Sequence, residues 1–334
     1  MRLLTFVNKF SDILKLLIAG FLSFLGLYFA FKGENIVDLY KELIKVNYLG
    51  IFIASLLLLI SCLIRAYRWK LLIDPIEELP LKKVFSSTMI GYFGNGVLVF
   101  RLGEILKAYS VSKSTKISTS EAFGTVIIER VLDLLMVVLI FFFTIPWFPF
   151  KNESLRVGIF SFSFFTFLSL VIVFIIIRCN WLQKVESIHF FKSKVGTKIL
   201  KICGDILKGI RIIKNNEKKI KIAISSTLLW LLYILITFII LACCNIELNF
   251  YNTIILFLLG SLSLGIPALP GSAGTYDAAV KYGLIVLFSI ENNEALSYAL
   301  ISHAVSYFPL VLVGALFFVF GAVNLRDIKA KKIT

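Results

Sequence analysis

Uncharged, mainly apolar runs of about the 20 residues that a helix needs to span a bilayer recur along the chain. Residues 13–31, interrupted only by Lys15, and residues 48–64, 157–177, 222–246 and 295–325 each read as a complete crossing. Residues 121–148 are also long enough, although Glu129, Arg130 and Asp133 lie inside them. Two further apolar regions behave differently. Residues 84–100 are uncharged but contain Gly91, Gly94, Asn95 and Gly96 and are flanked by basic residues, so both ends favour the same membrane face. Residues 248–290 are too long for one crossing and are broken by Pro267, Pro270, Gly271 and Gly274. Irregular backbone at membrane depth is tolerated only where protein or trapped water satisfies its polar groups. Both regions are therefore candidate re-entrant hairpins, with a kinked ordinary helix as the alternative for each. The predicted fold is an all-α polytopic membrane protein, one domain over residues 1–334, with about six full spans and two opposed hairpins. Opposed hairpins are a mark of inverted repeats, although no sequence identity links the two halves.

Composition strengthens the membrane assignment. Of 334 residues 59% are hydrophobic and mean hydropathy is +0.91, more apolar surface than a soluble fold can hide. Charged residues make up 16%, against roughly 25% in soluble domains. The net charge of +15 does not indicate nucleic acid as a partner, because the positive residues alternate with long uncharged runs and read as basic loops. Segments 1–15, 65–83, 101–120, 178–221 and 326–334 hold 28 Lys and Arg, and the opposite loops hold 5. With both hairpins re-entrant, that bias places both termini in the cytoplasm. The apolar stretch 13–31 is too long for a signal-peptide core and reads as a retained first span. Five cysteines without C-x-x-C spacing predict neither a disulfide framework nor a zinc site. Within 178–221, Ile188, Phe191, Val195, Ile199, Ile202, Ile206, Ile210 and Ile213 form an apolar stripe at helical spacing, with lysines over much of the remaining surface. Such a helix either lies on anionic lipid headgroups or is a solvated connector packed on its own protein.

Five charged residues fall inside the apolar runs, where each costs about 2.5 to 3.5 kcal/mol on insertion scales. Arg130 and Asp133 are spaced to pair, Glu129 and Asp133 share a helix face, and Asp277 and Lys281 stand four apart in the favourable order. They form either a salt-bridge cluster that locks helices together or a polar path through the membrane. Beside the first hairpin, Arg101 follows a Gly-rich stretch in which Asn95 and backbone amides can approach a headgroup, and Glu104 is placed to orient it. A guanidinium holds phosphate by two parallel hydrogen bonds. Arg65-Ala-Tyr-Arg68-Trp69 ends a span and reads as an interfacial belt of basic and aromatic residues.

Four segments together resemble a known family. Arg65 to Trp69, Asn95 to Glu104, Glu129-Arg130-Val-Leu-Asp133 and Leu269-Pro-Gly-Ser-Ala-Gly-Thr-Tyr-Asp277-Ala-Ala look like successive signatures of the lysylphosphatidylglycerol synthase transmembrane-domain family, also called flippase-like. The resemblance implies a bacterial or archaeal inner-membrane protein that moves a lipid between leaflets, typically a phospholipid or polyprenyl-phosphate lipid with a phosphate-bearing head. It implies Asn95, Arg101, Glu104, Glu129, Arg130, Asp133, Asp277, Lys281 and His303 as substrate-binding residues, with no cofactor and no metal. The sequence departs from the family where Val99 replaces Pro, Asp277 replaces Glu, a basic residue near Tyr276 is missing, and His303 replaces Arg. His303 makes a cationic contact there dependent on pH. Only nine residues follow the last predicted span, so no aminoacyl-transferring domain is expected and the chain is not predicted to be an enzyme. No Gly-rich nucleotide loop followed by Lys is present, so ATP is not expected as the direct driver. The alternative is a membrane scaffold for envelope lipid or polysaccharide synthesis, with envelope-synthesis enzymes or a second copy of the chain as partners.

Overall fold

The computed structural model describes residues 20–21, 23–32, 35–98, 102–113, 115–149, 157, 161, 164, 168, 171, 204–205, 217–265 and 270–320. Arg101 and most of the predicted span 157–177 and of the amphipathic segment 178–221 lie outside the described residues. Within them every regular element is helical: a segment over residues 23–31, then α1 (Ile36–Lys45), α2 (Tyr48–Ile73), α3 (Leu81–Val97), α4 (Gly103–Ser112), α5 (Thr119–Thr144), α6 (Lys219–Cys243), α7 (Phe250–Ser263), α8 (Thr275–Phe288) and α9 (Asn292–Phe320). Polar caps mark several starts. Asn35, Asn47 and Asn249 accept backbone N–H groups of α1, α2 and α7, and Ser118 with Glu121 forms a reciprocal capping box on α5.

The chain is an all-α membrane protein. Three described helices, α2, α6 and α9, are long and apolar enough to cross a bilayer. At 26 residues α2 is about 39 Å long, against a hydrocarbon core of about 30 Å. It runs nine residues past the predicted end at 64 and carries Arg65 and Arg68 into the protein. α5 is as long as α2, but Glu121, Glu129, Arg130 and Asp133 interrupt its apolar character. The outside of the bundle is greasy where a soluble protein would be polar: Phe52, Leu56, Ile60 and Leu63 of α2 and Leu312, Leu316 and Val319 of α9 are exposed. Scattered exposed apolar groups are ordinary, whereas one contiguous stripe per helix is what a lipid-facing surface requires.

Both broken regions are helix–turn–helix units. The first is larger than 84–100: α3 is one continuous helix and the return arm is α4, which the sequence reading had assigned to a basic loop. The two arms touch backbone to backbone, because a side chain on Gly103 would collide with the Gly91 carbonyl and the Asn95 amide. In the second unit, α7 and α8 are 14 residues each, about 21 Å, too short for a full crossing. They meet across a turn in which Gly271 (φ 74°) and Gly274 (φ 84°) adopt the left-handed backbone that glycine tolerates. α2 packs along α6, and α9 lies along both α3 and α8. One apolar core joins Trp69, Leu72, Val84, Ala108, Ala122 and Ile222. A second joins Ala54, Leu58, Ile240, Leu256, Leu284 and Ala299.

Candidate functional site

The first site lies where α2, α4 and α5 converge beside the first hairpin. Arg65 and Arg68 are three apart on α2, and Glu129 and Asp133 four apart on α5, so each pair presents one face to the other. Arg65 Nη1 donates to Glu129 Oε1 at 2.8 Å and to Asp133 Oδ2 at 2.9 Å, and Arg68 Nη2 donates to Asp133 Oδ1 at 2.7 Å. From α4, Lys107 Nζ donates to Glu129 Oε2 at 2.6 Å and lies 4.1 Å from the centroid of the Trp69 ring. Arg130 closes the cluster: Nη2 donates to Glu129 Oε1 at 2.9 Å, while Nη1 stands 3.3 Å from Asp133 and 3.8 Å from Glu104. Glu104 in turn accepts from Asn95 Nδ2 at 3.4 Å. Tyr233 and Ser226 of α6 accept from Arg65 and Arg68.

Four cations face three acids, leaving one formal positive charge in a low-dielectric interior. Burial is unequal. The Glu129 and Arg68 side chains are fully enclosed, whereas that of Arg130 is 38% exposed. Arg130 lines a cleft together with Arg65, Thr88, Gly91, Tyr92, Asn95, Glu104 and Lys107. Arg130 Nε and Asn95 Oδ1 are buried with no hydrogen-bond partner among the described residues, an arrangement that native proteins keep rare.

The second site is the turn of the second hairpin. Asp277 Oδ2 accepts the Gly274 N–H at 2.9 Å, and Oδ1 lies 2.8 Å from His303 Nδ1 of α9. The other ring nitrogen, Nε2, is 2.9 Å from the Gly271 carbonyl. Lys281 reaches away, donating to the Ala30 carbonyl at 2.7 Å. One turn beyond His303, the Tyr307 hydroxyl donates to the Gly96 carbonyl at 3.1 Å, while its ring lies against Gly271. The tips of both hairpins thus meet at His303 and Tyr307 on α9. A side chain on Gly274 would collide with the Ser23 carbonyl, so residues 23–31 pack closely on the same turn.

Of the residues singled out by sequence, Asn95, Glu104, Glu129, Arg130 and Asp133 come together in the first site, and Asp277 and His303 in the second. Asp277 and Lys281, expected to pair, are held by different partners. Glu104 faces Asn95 and Arg130, while Arg101, which it is expected to orient, lies outside the described residues. Arg65 and Arg68 are not an interfacial belt but buried partners of both acids, and Lys107 was not anticipated at all. The i, i+3 spacing of Glu104 and Lys107 in an otherwise uncharged ten-residue segment was the available signal.

The description "Lysylphosphatidylglycerol synthase TM region" fits residues 13–314, nearly the whole chain. The chain belongs to this family. Among similar proteins, a UPF0104 membrane protein of Methanocaldococcus jannaschii is 28% identical over 68% of this chain and 93% of its own length. A second from the same organism is 27% identical over 90% of this chain and 92% of its own. A UPF0104 membrane protein of Methanothermobacter thermautotrophicus is 26% identical over 83% and 85%. The signatures by which the sequence resembles this family, as far as they are described, are the segments that build the two sites.

Proposed function

We propose that the protein moves a lipid with a phosphate-bearing headgroup between the leaflets of a prokaryotic inner membrane, as a transporter rather than an enzyme. The observation that carries this reading is the cleft of the first site. It holds a partly exposed guanidinium with an unpartnered Nε–H, in a cluster with one surplus positive charge, beside a hairpin too short to close the membrane. A phosphate entering there would take charge-assisted bonds that Arg130 already has geometry to donate, and would neutralise the surplus. The cleft volume of ≈ 10 Å³ is about that of one water molecule, so a phosphate enters only as the helices around Arg130 move apart, with the acyl or prenyl chains left in lipid. Arg101, between α3 and α4 in the sequence, is the second candidate for holding the same phosphate, and Asp277 and His303 are assigned to the path from the other hairpin, with Lys281 tying that hairpin to Ala30. The basic segment 178–221 is assigned to anionic headgroups of the cytoplasmic leaflet.

The test is transbilayer movement in proteoliposomes. Labelled phosphatidylglycerol or polyprenyl phosphate should exchange between leaflets, and labelled diacylglycerol should not depend on the protein. Absence of movement of every phosphate-bearing lipid, together with stable co-purification of an envelope-synthesis enzyme, would replace transport with the scaffold reading.

A further inference from the structure

The contacts of His303 carry more than anchoring. A neutral imidazole has one N–H, yet both ring nitrogens lie at hydrogen-bond distance from acceptors, the Asp277 carboxyl at 2.8 Å and the Gly271 carbonyl at 2.9 Å. Two hydrogens are therefore needed, one on each contact. The second is a labile proton carried on the ring. With it the couple is electrically neutral inside the protein. Without it, a net negative charge stays buried, and one of the two contacts becomes a repulsion between lone pairs.

We infer that the His303–Asp277 couple is a proton-binding site whose occupancy holds the turn of the second hairpin, making a proton the ion coupled to transport. Proton binding forms an N–H bond at the second ring nitrogen of His303, and its loss returns the proton to whichever aqueous face the turn then opens to. Two of the contacts that hold the turn belong to this couple: His303 Nε2 meets the Gly271 carbonyl, a contact that needs the second hydrogen, and Asp277 accepts the Gly274 N–H, a contact that does not. Between them Ser272 sits at φ 61°, left-handed without being glycine, a conformation that persists only where contacts impose it. Tyr307, one turn away, holds the first hairpin at Gly96, so losing the proton loosens the second tip at Gly271 while the first stays tied.

Other titratable groups near the ring do not supply the second hydrogen. Tyr276 of α8 stacks obliquely at 5.2 Å between centroids and donates its hydroxyl to Ser302. Tyr307 of α9 is edge-on at 6.1 Å and donates to Gly96. Lys281 of α8 is directed to Ala30. The tip of α3 from Phe93 to Val97 is uncharged, and residues 23–31 bring only Tyr28. From α2 and α6, Arg65 and Tyr233 face the first site.

The coupling rests on the transport reading, whereas the proton site rests on geometry alone, so two measurements separate them. In purified full-length protein, hydrogen exchange over residues 270–276, corrected for intrinsic rates, should quicken about tenfold or more between about pH 5.5 and pH 8. The change should vanish in His303→Arg, a permanent cation, and in Asp277→Asn, with peptides of α2 and α6 confirming that each variant is folded. In proteoliposomes containing an internal pH dye, lipid movement should be accompanied by proton flux, and His303→Arg should abolish that flux. A turn whose exchange ignores pH in the wild type, or follows pH equally in a folded His303→Arg or Asp277→Asn, overturns the proton site. A pH-dependent turn with lipid movement but no proton flux overturns the coupling. A pH-dependent turn with no lipid movement at any pH leaves the proton site standing and overturns both the transport reading and the coupling.

Discussion

Arg68 and Arg130 address the same carboxylates from opposite sides of a boundary. Arg68 is fully enclosed and donates to Asp133 at 2.7 Å, while Arg130 makes comparable contacts with its side chain 38% exposed to the cleft. Arg68→Gln breaks a fully buried ion pair and takes from Asp133 Oδ1 its 2.7 Å donor where water cannot replace it, so it should cost about 3 to 5 kcal/mol and be seen as loss of folded protein in detergent. The exposed guanidinium is screened, and Arg130→Gln should cost no more than about 1 kcal/mol, melting near the wild type while losing lipid movement. Equal destabilisation by the two would make Arg130 another lock between helices. This difference was only half legible in the sequence. Glu129, Arg130 and Asp133 stand out because charge inside an apolar run is costly wherever it points. Arg65 and Arg68 do not stand out, since a long basic side chain at the end of a span ordinarily snorkels to the headgroups. Nothing local distinguishes that from α2 continuing inward for two more turns.

At the scale of elements, the first hairpin depends on how closely α3 and α4 approach. A methyl group on Gly103 would meet the Gly91 carbonyl and the Asn95 amide and side chain, all parts of the other arm and none free to swing away. Gly103→Ala should therefore destabilise the protein by about 1 to 3 kcal/mol, the usual range for overpacking, and should disturb Asn95 in the cleft. Gly20→Ala, which meets nothing within 4 Å, is the control. Thermal unfolding in detergent checks both, and a Gly103→Ala protein as stable as the control would mean the arms can separate without loss. The second hairpin was readable because its breakers fall mid-run in a stretch too long for one span. The first was readable only in part: its apolar arm announces itself, but α4 carries Glu104 and Lys107 and passes for a loop until their partners on α5 and α3 are seen.

At the scale of the molecule, the helix ends sort into two faces by contacts rather than by composition. The start of α2 meets the end of α6, where the Asn47 N–H donates to the Cys243 carbonyl, and α1 packs through Leu39 on Leu296 near the start of α9. Glu247, Glu291 and Glu294 lie at this face, with the ends of α7 and α8. At the other face Lys218 pairs with Asp74 at 3.2 Å and the Lys116 N–H donates to Glu77, which brings the end of α2, the start of α6 and the loop after α4 together. Lys70, Lys82, Lys83, Lys113, Lys219 and Lys221 join them there. Among the described residues the charge asymmetry holds, with these eight lysines at one face against Lys32, Lys41 and Lys45 at the other. The basic face should therefore be cytoplasmic. Single cysteines replacing the exposed Asn35 and Asn292 should react with an impermeant maleimide added outside intact cells, and one replacing the exposed Lys116 should react only after lysis. The background must lack Cys62, Cys179, Cys203, Cys243 and Cys244. Labelling of all three from outside would make both hairpins full crossings, and labelling of Asn35→Cys and Lys116→Cys without Asn292→Cys would make the first hairpin alone a full crossing. Labelling of Lys116→Cys alone would invert the protein, placing the mouth of the first hairpin and the cluster behind it on the outer leaflet and reversing the side from which a phosphate headgroup first meets Arg130.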